Sequence, residues 1–248
     1  MPPAVGRLGA ELTSVEPRAT TVRLPMTEEL LLPGGTPSGA VTALLADMAL
    51  TTSVIASLPN LRGVATISMT VDHHGVPPRR GALLSTATAE PYADGRPQHA
   101  SGVVRDEDSR LVATVSGWFL AAPADAVAVE RVGLVREPPA AHLHDLLNVP
   151  AGPTFTLQAR DALSNALGSL HGGIGALAAQ LAAAAALPPG WLPLTTTFAY
   201  LRPTPREGAV RVAGTVVRQG RRTALARSSI SDADDRTLVT ATLVAAAP

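Results

Sequence analysis

The chain contains no cysteine and no lysine among its 248 residues. Without cysteine there is no disulfide, no thiolate zinc site and no thiol nucleophile. All 20 basic residues are arginine. That composition excludes a Schiff-base lysine and the lysine of a Walker-type phosphate loop.

The charge balance and the apolar stretches also limit the class of protein to which the chain can belong. Twenty basic and 20 acidic residues give a net charge of zero, so bulk charge favours neither nucleic acid nor an acidic membrane as a partner. Met1 to Gly9 has no apolar signal-peptide region. The longest apolar helical stretch, Ile174 to Leu187, is too short to span a bilayer. We therefore expect a soluble cytoplasmic protein with no nucleic-acid or membrane partner.

Two stretches of the chain share one pattern. Asn165 to Gln180 reads N-A-L-G-S-L-H-G-G-I-G-A-L-A-A-Q, and Leu32 to Asp47 reads L-P-G-G-T-P-S-G-A-V-T-A-L-L-A-D. Aligning Ser38 with His171 places Gly39 on Gly172, Leu32 on Asn165 and Asp47 on Gln180. In the later stretch, the two glycines at a helix start leave backbone N–H groups open to an anion or a developing oxyanion.

The order of elements around these stretches also repeats. The pattern predicts helices from Gly39 to about Ser57 and from Gly172 to Leu187, each followed by four antiparallel strands. The turn at residues 78–81 (P-R-R-G) matches that at 205–208 (P-R-E-G). We interpret this as an internal duplication and an α+β fold, each half packing a central helix on an antiparallel sheet. The predicted parts are an N-terminal repeat (1–122), a linker (123–139) and a C-terminal repeat (140–248), paired as a pseudo-dimer.

The helical spacing predicts where the polar residues meet. Nine residues on a helix span roughly 13 Å, so His171 cannot reach Gln180 in its own repeat. Asp47 and His171 can meet only across the pseudo-two-fold axis, with the helices antiparallel. We predict one live site, containing Asp47, Asn165, His171 and Gly172. The other composite site would set Gln180 against Leu32 and Ser38, and we predict a relic that lacks a carboxylate, an asparagine and a histidine.

These motifs resemble a known family. The pattern N-x-x-G-x-x-H-G-G, followed by an antiparallel sheet, resembles the hotdog-fold acyl-CoA thioesterases of the phenylacetate-pathway (PaaI-like) type, here in tandem, or double-hotdog, form. Phe198 to Pro203 and Val217 to Arg222 are also similar to the family. The resemblance implies that Asn165 and His171 come from one repeat, and that Asp47 and a hydroxyl residue, aligned at Thr66, come from the other. It also implies further association of the chains into homo-oligomers.

The resemblance implies hydrolysis of an acyl-CoA. The N–H of Gly172 would stabilise the oxyanion, Asp47 would activate water or attack directly, and Thr66 would hold the water. Asn165 would orient substrate or water, and His171 would position the carbonyl or hold the turn. We expect four arginines to meet the CoA phosphates: Arg202, Arg218, Arg221 and Arg222. We expect no cofactor, since CoA is part of the substrate. We also expect no metal, because His73 and His74 point to opposite faces of a strand.

Alternatives remain open at this point. Asp47 could lie on a solvated helix face, and His171-Gly172-Gly173 could be an ordinary helix start. A hotdog dehydratase or hydratase would also use a histidine with a carboxylate across an interface. A non-catalytic acyl-CoA-binding module is the alternative outside the enzymes.

Overall fold

The computed structural model describes residues 3–59, 63–93, 95–121 and 140–248. Their helices are α1 (Pro3–Arg7), α2 (Ala40–Ser57), α3 (Leu143–Leu147) and α4 (Gly172–Ala185). The strands of the first half are β1 (Glu11–Glu16), β2 (Ala19–Pro25), β3 (Leu31–Leu32), β4 (Thr36–Pro37), β5 (Val64–His73), β6 (Ala82–Ala89), β7 (Gln98–Asp106) and β8 (Leu111–Ala121). Those of the second half are β9 (Thr154–Ala159), β10 (Leu192–Tyr200), β11 (Gly208–Gln219), β12 (Thr223–Ser231) and β13 (Thr237–Ala246).

Eleven of the described strands form one antiparallel sheet in the order β1-β2-β6-β7-β8-β5-β10-β13-β12-β11-β9. The two halves join where β5 pairs with β10, and Thr70 lies opposite Thr197 there. The pairing runs symmetrically in both directions from these two threonines. His73 and Tyr200 each lie three residues beyond that point, and Thr66 and Pro193 each lie four residues before it. The pseudo-two-fold axis therefore relates His73 to Tyr200, and Thr66 to Pro193.

Helices α2 and α4 cross on one face of this sheet and are largely buried. Gly173 of α4 packs against Leu44 of α2: a Cβ on Gly173 would lie 2.8 Å from the carbonyl oxygen of Leu44. Further along α4, Gln180 lies beside Gly39, at the start of α2. The helices are therefore antiparallel, as the spacing predicted. Small residues at the crossing let the two backbones approach closely.

The structure corrects one helical prediction. The longest apolar helix is α2, with 18 residues, and not the stretch beginning at Ile174. By length and composition alone α2 could cross a membrane, but 72% of it is buried inside the protein, where it is a core helix. Asp47, in its middle, is only 2% exposed, which excludes a solvated face for this residue.

The predicted double-hotdog architecture is confirmed, with each half wrapping its sheet around a central helix. The predicted linker at 123–139 lies outside the described residues. The repeat boundaries and the duplication stay predictions.

Candidate active site at the start of α4

The Asp47 carboxylate lies against the first turn of α4. A Cβ on Gly172 would come within 2.9 Å of Oδ2 and 3.0 Å of Oδ1 of Asp47. Only glycine lets the carboxylate approach this closely. The positive end of the α4 dipole stabilises the negative charge at that place.

Thr66, near the start of β5, fixes the orientation of this carboxylate. Its hydroxyl donates a hydrogen bond to Oδ1 of Asp47 over 2.7 Å. The alignment predicted a hydroxyl at this position, and the structure brings the two side chains together. The contact leaves Oδ2 facing Gly172 and His171.

His171 caps α4 with its side chain. Its Nδ1 accepts a hydrogen bond from the N–H of Gly173 over 3.1 Å, while Nδ1 also lies 3.4 Å from Oδ2 of Asp47. Burial lowers the pKa of His171, and the nearby carboxylate only partly opposes this shift. The imidazole is therefore neutral and Nδ1 acts as an acceptor, so its approach to Asp47 is not an ion pair. Of the two roles predicted for His171, the structure favours holding the turn.

The backbone N–H groups at this helix start differ in their availability. The N–H of Gly173 is taken by His171. No acceptor for the N–H of Gly172 occurs within the described part of the chain. A single N–H, that of Gly172, therefore remains for a ligand carbonyl.

Asn165 shapes the loop that leads into α4. Its Oδ1 accepts hydrogen bonds from the N–H groups of Leu167 and Ser169, and its Nδ2 donates to the hydroxyl of Ser169. These contacts all lie within the loop. The predicted contact of Asn165 with substrate or water stays a prediction.

Tyr200, at the end of β10, was not among the predicted site residues. Its hydroxyl donates to the carbonyl oxygen of Gly172 over 3.1 Å. Burial raises the pKa of Tyr200 well above 10, and the Asp47 charge adds to the shift. The tyrosine is therefore a neutral donor that supports the first turn of α4. Tyr200 lies in the stretch Phe198 to Pro203, whose similarity to the family was the sequence feature that could have indicated it.

The arginines predicted for the CoA phosphates do not lie together. Arg202 follows Tyr200 closely and donates to the carbonyl oxygen of Thr237. Arg218, Arg221 and Arg222 belong to the β11–β12 hairpin, whose end is level with Leu192 at the start of β10. Eight residues of strand, about 26 Å, separate Leu192 from Tyr200. The prediction that these three serve the Asp47 site is therefore corrected: they lie at the opposite end of the sheet.

The corresponding turn at the Asp47 end is the one between β6 and β7. Gln98 at the start of β7 lies in one row with Phe119 and Thr66. Arg96 precedes Gln98 in that turn and is exposed. Sequence reasoning passed over Arg96, because only the strand order reveals which hairpin lies beside Asp47.

The second composite site also differs from its prediction. Gln180 lies beside Gly39, the residue after Ser38, as expected from the alignment. The predicted absence of histidine is wrong, because His73 enters the site from β5. Its Nε2 accepts a hydrogen bond from Nε2 of Gln180 over 3.2 Å. Leu32 belongs to β3, where it pairs with Thr36 of β4.

Comparisons with known proteins agree with this architecture. Residues 161–246 match the family described as the acyl-CoA thioesterase N-terminal domain. No curated protein sequence matches the chain.

Solved structures of the same fold cover nearly the whole chain. A structure from Lactobacillus plantarum assigned as an oleoyl thioesterase has a TM-score of 0.65 at 12% identity, covering 97% of this chain and 99% of its own. One from Thermobifida fusca assigned as a thioesterase II has a TM-score of 0.64 at 15% identity, covering 99% of both chains. The tesB protein of Mycobacterium avium subspecies paratuberculosis has a TM-score of 0.62 at 11% identity, covering 99% of this chain and 98% of its own. At such identities the likeness shows the fold.

Residues 161–246 thus match the acyl-CoA thioesterase domain family, and the whole chain has the double-hotdog fold. The narrower PaaI-like subtype stays a prediction.

Proposed function

We propose that the protein hydrolyses acyl-CoA thioesters at one composite site, formed by Asp47 and Thr66 of the first half and the start of α4 in the second. One observation carries the proposal. A buried carboxylate lies within about 3 Å of the Cβ position of Gly172, beside a backbone N–H that has no acceptor among the described residues.

The reaction begins with a water molecule at Asp47. The carboxylate takes a proton from the water, whose oxygen attacks the thioester carbonyl carbon. The carbonyl oxygen becomes an oxyanion, and the N–H of Gly172 stabilises it. One such donor is typically worth about 2.7–4 kcal/mol. Collapse of the intermediate breaks the C–S bond and releases the free acid and the CoA thiolate, which takes the proton back from Asp47.

Several contacts support this assignment of roles. Thr66 holds Oδ1 of Asp47, which leaves Oδ2 to face the water. His171 and Tyr200 hold the first turn of α4 from two sides, so the Gly172 N–H is oriented before substrate binds. We assign Arg96 and Arg202, which lie toward this end of the sheet, to the CoA phosphates.

The experiment measures release of free thiol from short, medium and aryl acyl-CoAs, with wild type beside Asp47→Asn. We expect turnover to fall by two or more decades in the variant, because an amide cannot take the proton. Asp108→Asn, in the exposed β7–β8 turn, is the matched control and keeps wild-type turnover.

Two results would overturn the proposal. Turnover unchanged in Asp47→Asn would reject the assigned site. Loss of water from β-hydroxyacyl-CoA without thiol release would indicate hydratase chemistry instead.

A further inference from the structure

The second composite site is built of polar groups that the proposed hydrolysis does not use. It lies at the other end of the α2–α4 crossing, eight residues or about 12 Å along α4 from Gly172. Gln180 reaches it from α4, His73 from β5 and Thr196 from β10. The start of α2, at Gly39, forms its floor.

Gln180 is the least explained residue of this site. It is 1% exposed, and its Oε1 has no hydrogen-bond partner in the described structure. Its Nε2 donates to His73, which is neutral because burial lowers the pKa of His73 to about 4. An unpaired buried carbonyl destabilises the fold, so an apolar side chain of similar size would be more stable here. A buried acceptor of this kind is suited to an N–H donor from a ligand.

The start of α2 lies beside Gln180. A Cβ on Gly39 would lie 3.4 Å from Nε2 of Gln180 and 3.3 Å from Cε1 of His73, so the amide lies directly against the first turn of α2. The N–H of Ala40 is capped by the Ser38 hydroxyl. The positive end of this 18-residue helix favours a carbonyl oxygen or an anion.

The positively charged side chains at this end of the sheet favour a ligand that also carries negative charge. Arg218, Arg221 and Arg222 lie on the hairpin at this end of the sheet. All three are exposed and none has an acidic partner among the described residues. A pantetheine arm carries amide N–H and carbonyl groups, and the CoA head carries phosphates. The buried acceptor therefore suits an amide N–H of the pantetheine arm, and the arginines suit the phosphates.

We propose that the Gln180 site binds a second acyl-CoA without hydrolysing it, with Oε1 of Gln180 accepting a pantetheine amide N–H. The choice of CoA as ligand rests on the proposed function. Hydrolysis does not occur here because the residue equivalent to Asp47 is an amide, and because Pro193 lies where Thr66 lies in the other site. The chain then binds two acyl-CoA molecules and hydrolyses one.

The experiment is calorimetric titration of the full chain with octanoyl-CoA in the Asp47→Asn background, which preserves the substrate. We expect two molecules bound per chain, and one when Gln180→Leu is added. The matched control adds Gln158→Leu, the same change on the exposed face of β9, and keeps two. Gly39→Ala is a second test that keeps the fold: its φ of −58° suits alanine, while the methyl enters the space beside Gln180. It too should leave one molecule bound.

Stability separates a binding role from a structural one. If Gln180 only supported the fold, Gln180→Leu would lower the melting temperature. We expect the melting temperature to stay equal or rise, together with the loss of one bound molecule.

The possible outcomes test the second binding site and the proposed hydrolysis separately. One molecule bound in Asp47→Asn both with and without Gln180→Leu would overturn the second site and leave the proposed function intact. Two molecules bound by Asp47→Asn, with no turnover of any acyl-CoA by wild type, would overturn the proposed hydrolysis and keep the second site. No binding at all would overturn both.

Discussion

At both ends of the α2–α4 crossing, a glycine at the start of one helix faces a polar side chain from the middle of the other. At one end the pair is Gly172 with the Asp47 carboxylate, and at the other it is Gly39 with the Gln180 amide. The backbone is nearly the same at the two ends, while the charge differs. The same crossing therefore provides a base at one end and neutral hydrogen-bonding groups at the other.

The strands extend this comparison. Tyr200 and His73 occupy equivalent places on β10 and β5, and each contacts the composite site beside it. Tyr200 donates to the helix backbone and leaves the carboxylate open. His73 instead pairs with the facing side chain. We infer that hydrolysis depends on what the helices and strands present at each end, and not on the fold alone.

Among the variants that test this comparison, Gly172→Ala should have the largest effect on thioester turnover. The added Cβ would lie 2.9 Å from Oδ2 and 3.0 Å from Oδ1 of Asp47, closer than real contacts allow, so the carboxylate must leave its place. We expect thioester turnover to fall by two to three decades, on the order of 3–4 kcal/mol of transition-state stabilisation. The measurement is kcat/KM from thiol release.

Gly175→Ala, one turn further along α4, is the control for that variant. A Cβ there meets only ordinary contacts, 3.9 Å from Ile230 and Val239. Its turnover should stay at the wild-type level while helix propensity makes the protein slightly more stable. A Gly172→Ala protein as active as Gly175→Ala would show that the carboxylate is not needed at the helix start.

Thr66→Val tests the hydroxyl that Pro193 lacks at the equivalent place. A hydrogen bond to a charged group contributes about 1.5–3 kcal/mol. If Thr66 orients Asp47 for reaction, its loss should lower kcat by roughly 10- to 100-fold, with little change in KM. Thr66→Ser restores the 2.7 Å donor and should recover most of kcat. Equal losses in the valine and serine variants would show that the hydroxyl alone does not account for the role of Thr66.

Much of this arrangement was predictable from the sequence, because it follows from helix spacing. Asp47 and His171 could meet only across the pseudo-two-fold axis, and Oδ2 of Asp47 lies 3.4 Å from Nδ1 of His171. Thr66 followed from aligning the strand after α2. These residues lie on regular elements, where a position in the sequence determines a direction in space.

The residues that sequence reasoning missed depend on how the sheet is ordered. His73 joins Gln180, and Tyr200 joins Gly172, only because β5 and β10 are neighbours at the centre of the sheet. The arginines were misassigned for the same reason: nothing local shows that the β11–β12 hairpin lies at the far end. Pairing between strands distant in sequence carries no local signal.

A smaller effect is the pH dependence of the free energy of unfolding, which distinguishes His73 from Tyr200. Burial lowers the pKa of His73 to about 4 in the folded state, against 6.5 when unfolded. Below pH 6.5 the unfolded chain binds a proton at His73 more readily than the folded chain does. The free energy of unfolding therefore has its full contribution from His73 above pH 6.5, and this contribution is lost as pH falls toward 4. At about 1.36 kcal/mol per pH unit, the loss is on the order of 2–3 kcal/mol.

The measurement for His73 is urea unfolding between pH 7.5 and pH 4.5. His73→Phe removes this proton uptake and should flatten the dependence of unfolding free energy on pH relative to wild type. His171 also has a lowered pKa, so a residual slope remains in the variant. If the variant and wild type had the same slope, His73 would not be buried as a neutral group.

Tyr200→Phe should have the smallest effect, because it removes a donor and leaves the carbonyl oxygen of Gly172 partly unpaired. A neutral hydrogen bond of this kind contributes about 0.5–1.5 kcal/mol, so we expect a loss of about 1 kcal/mol in unfolding free energy. We expect kcat to fall by about 3- to 10-fold, since the Gly172 N–H loses part of its support, and KM to change less. The pKa of Tyr200 lies well above 10, so removing its hydroxyl leaves the shape of the pH–rate profile below pH 9 unchanged. A changed profile would mean that the tyrosine takes part in proton transfer, and the role of supporting the turn would have to be given up.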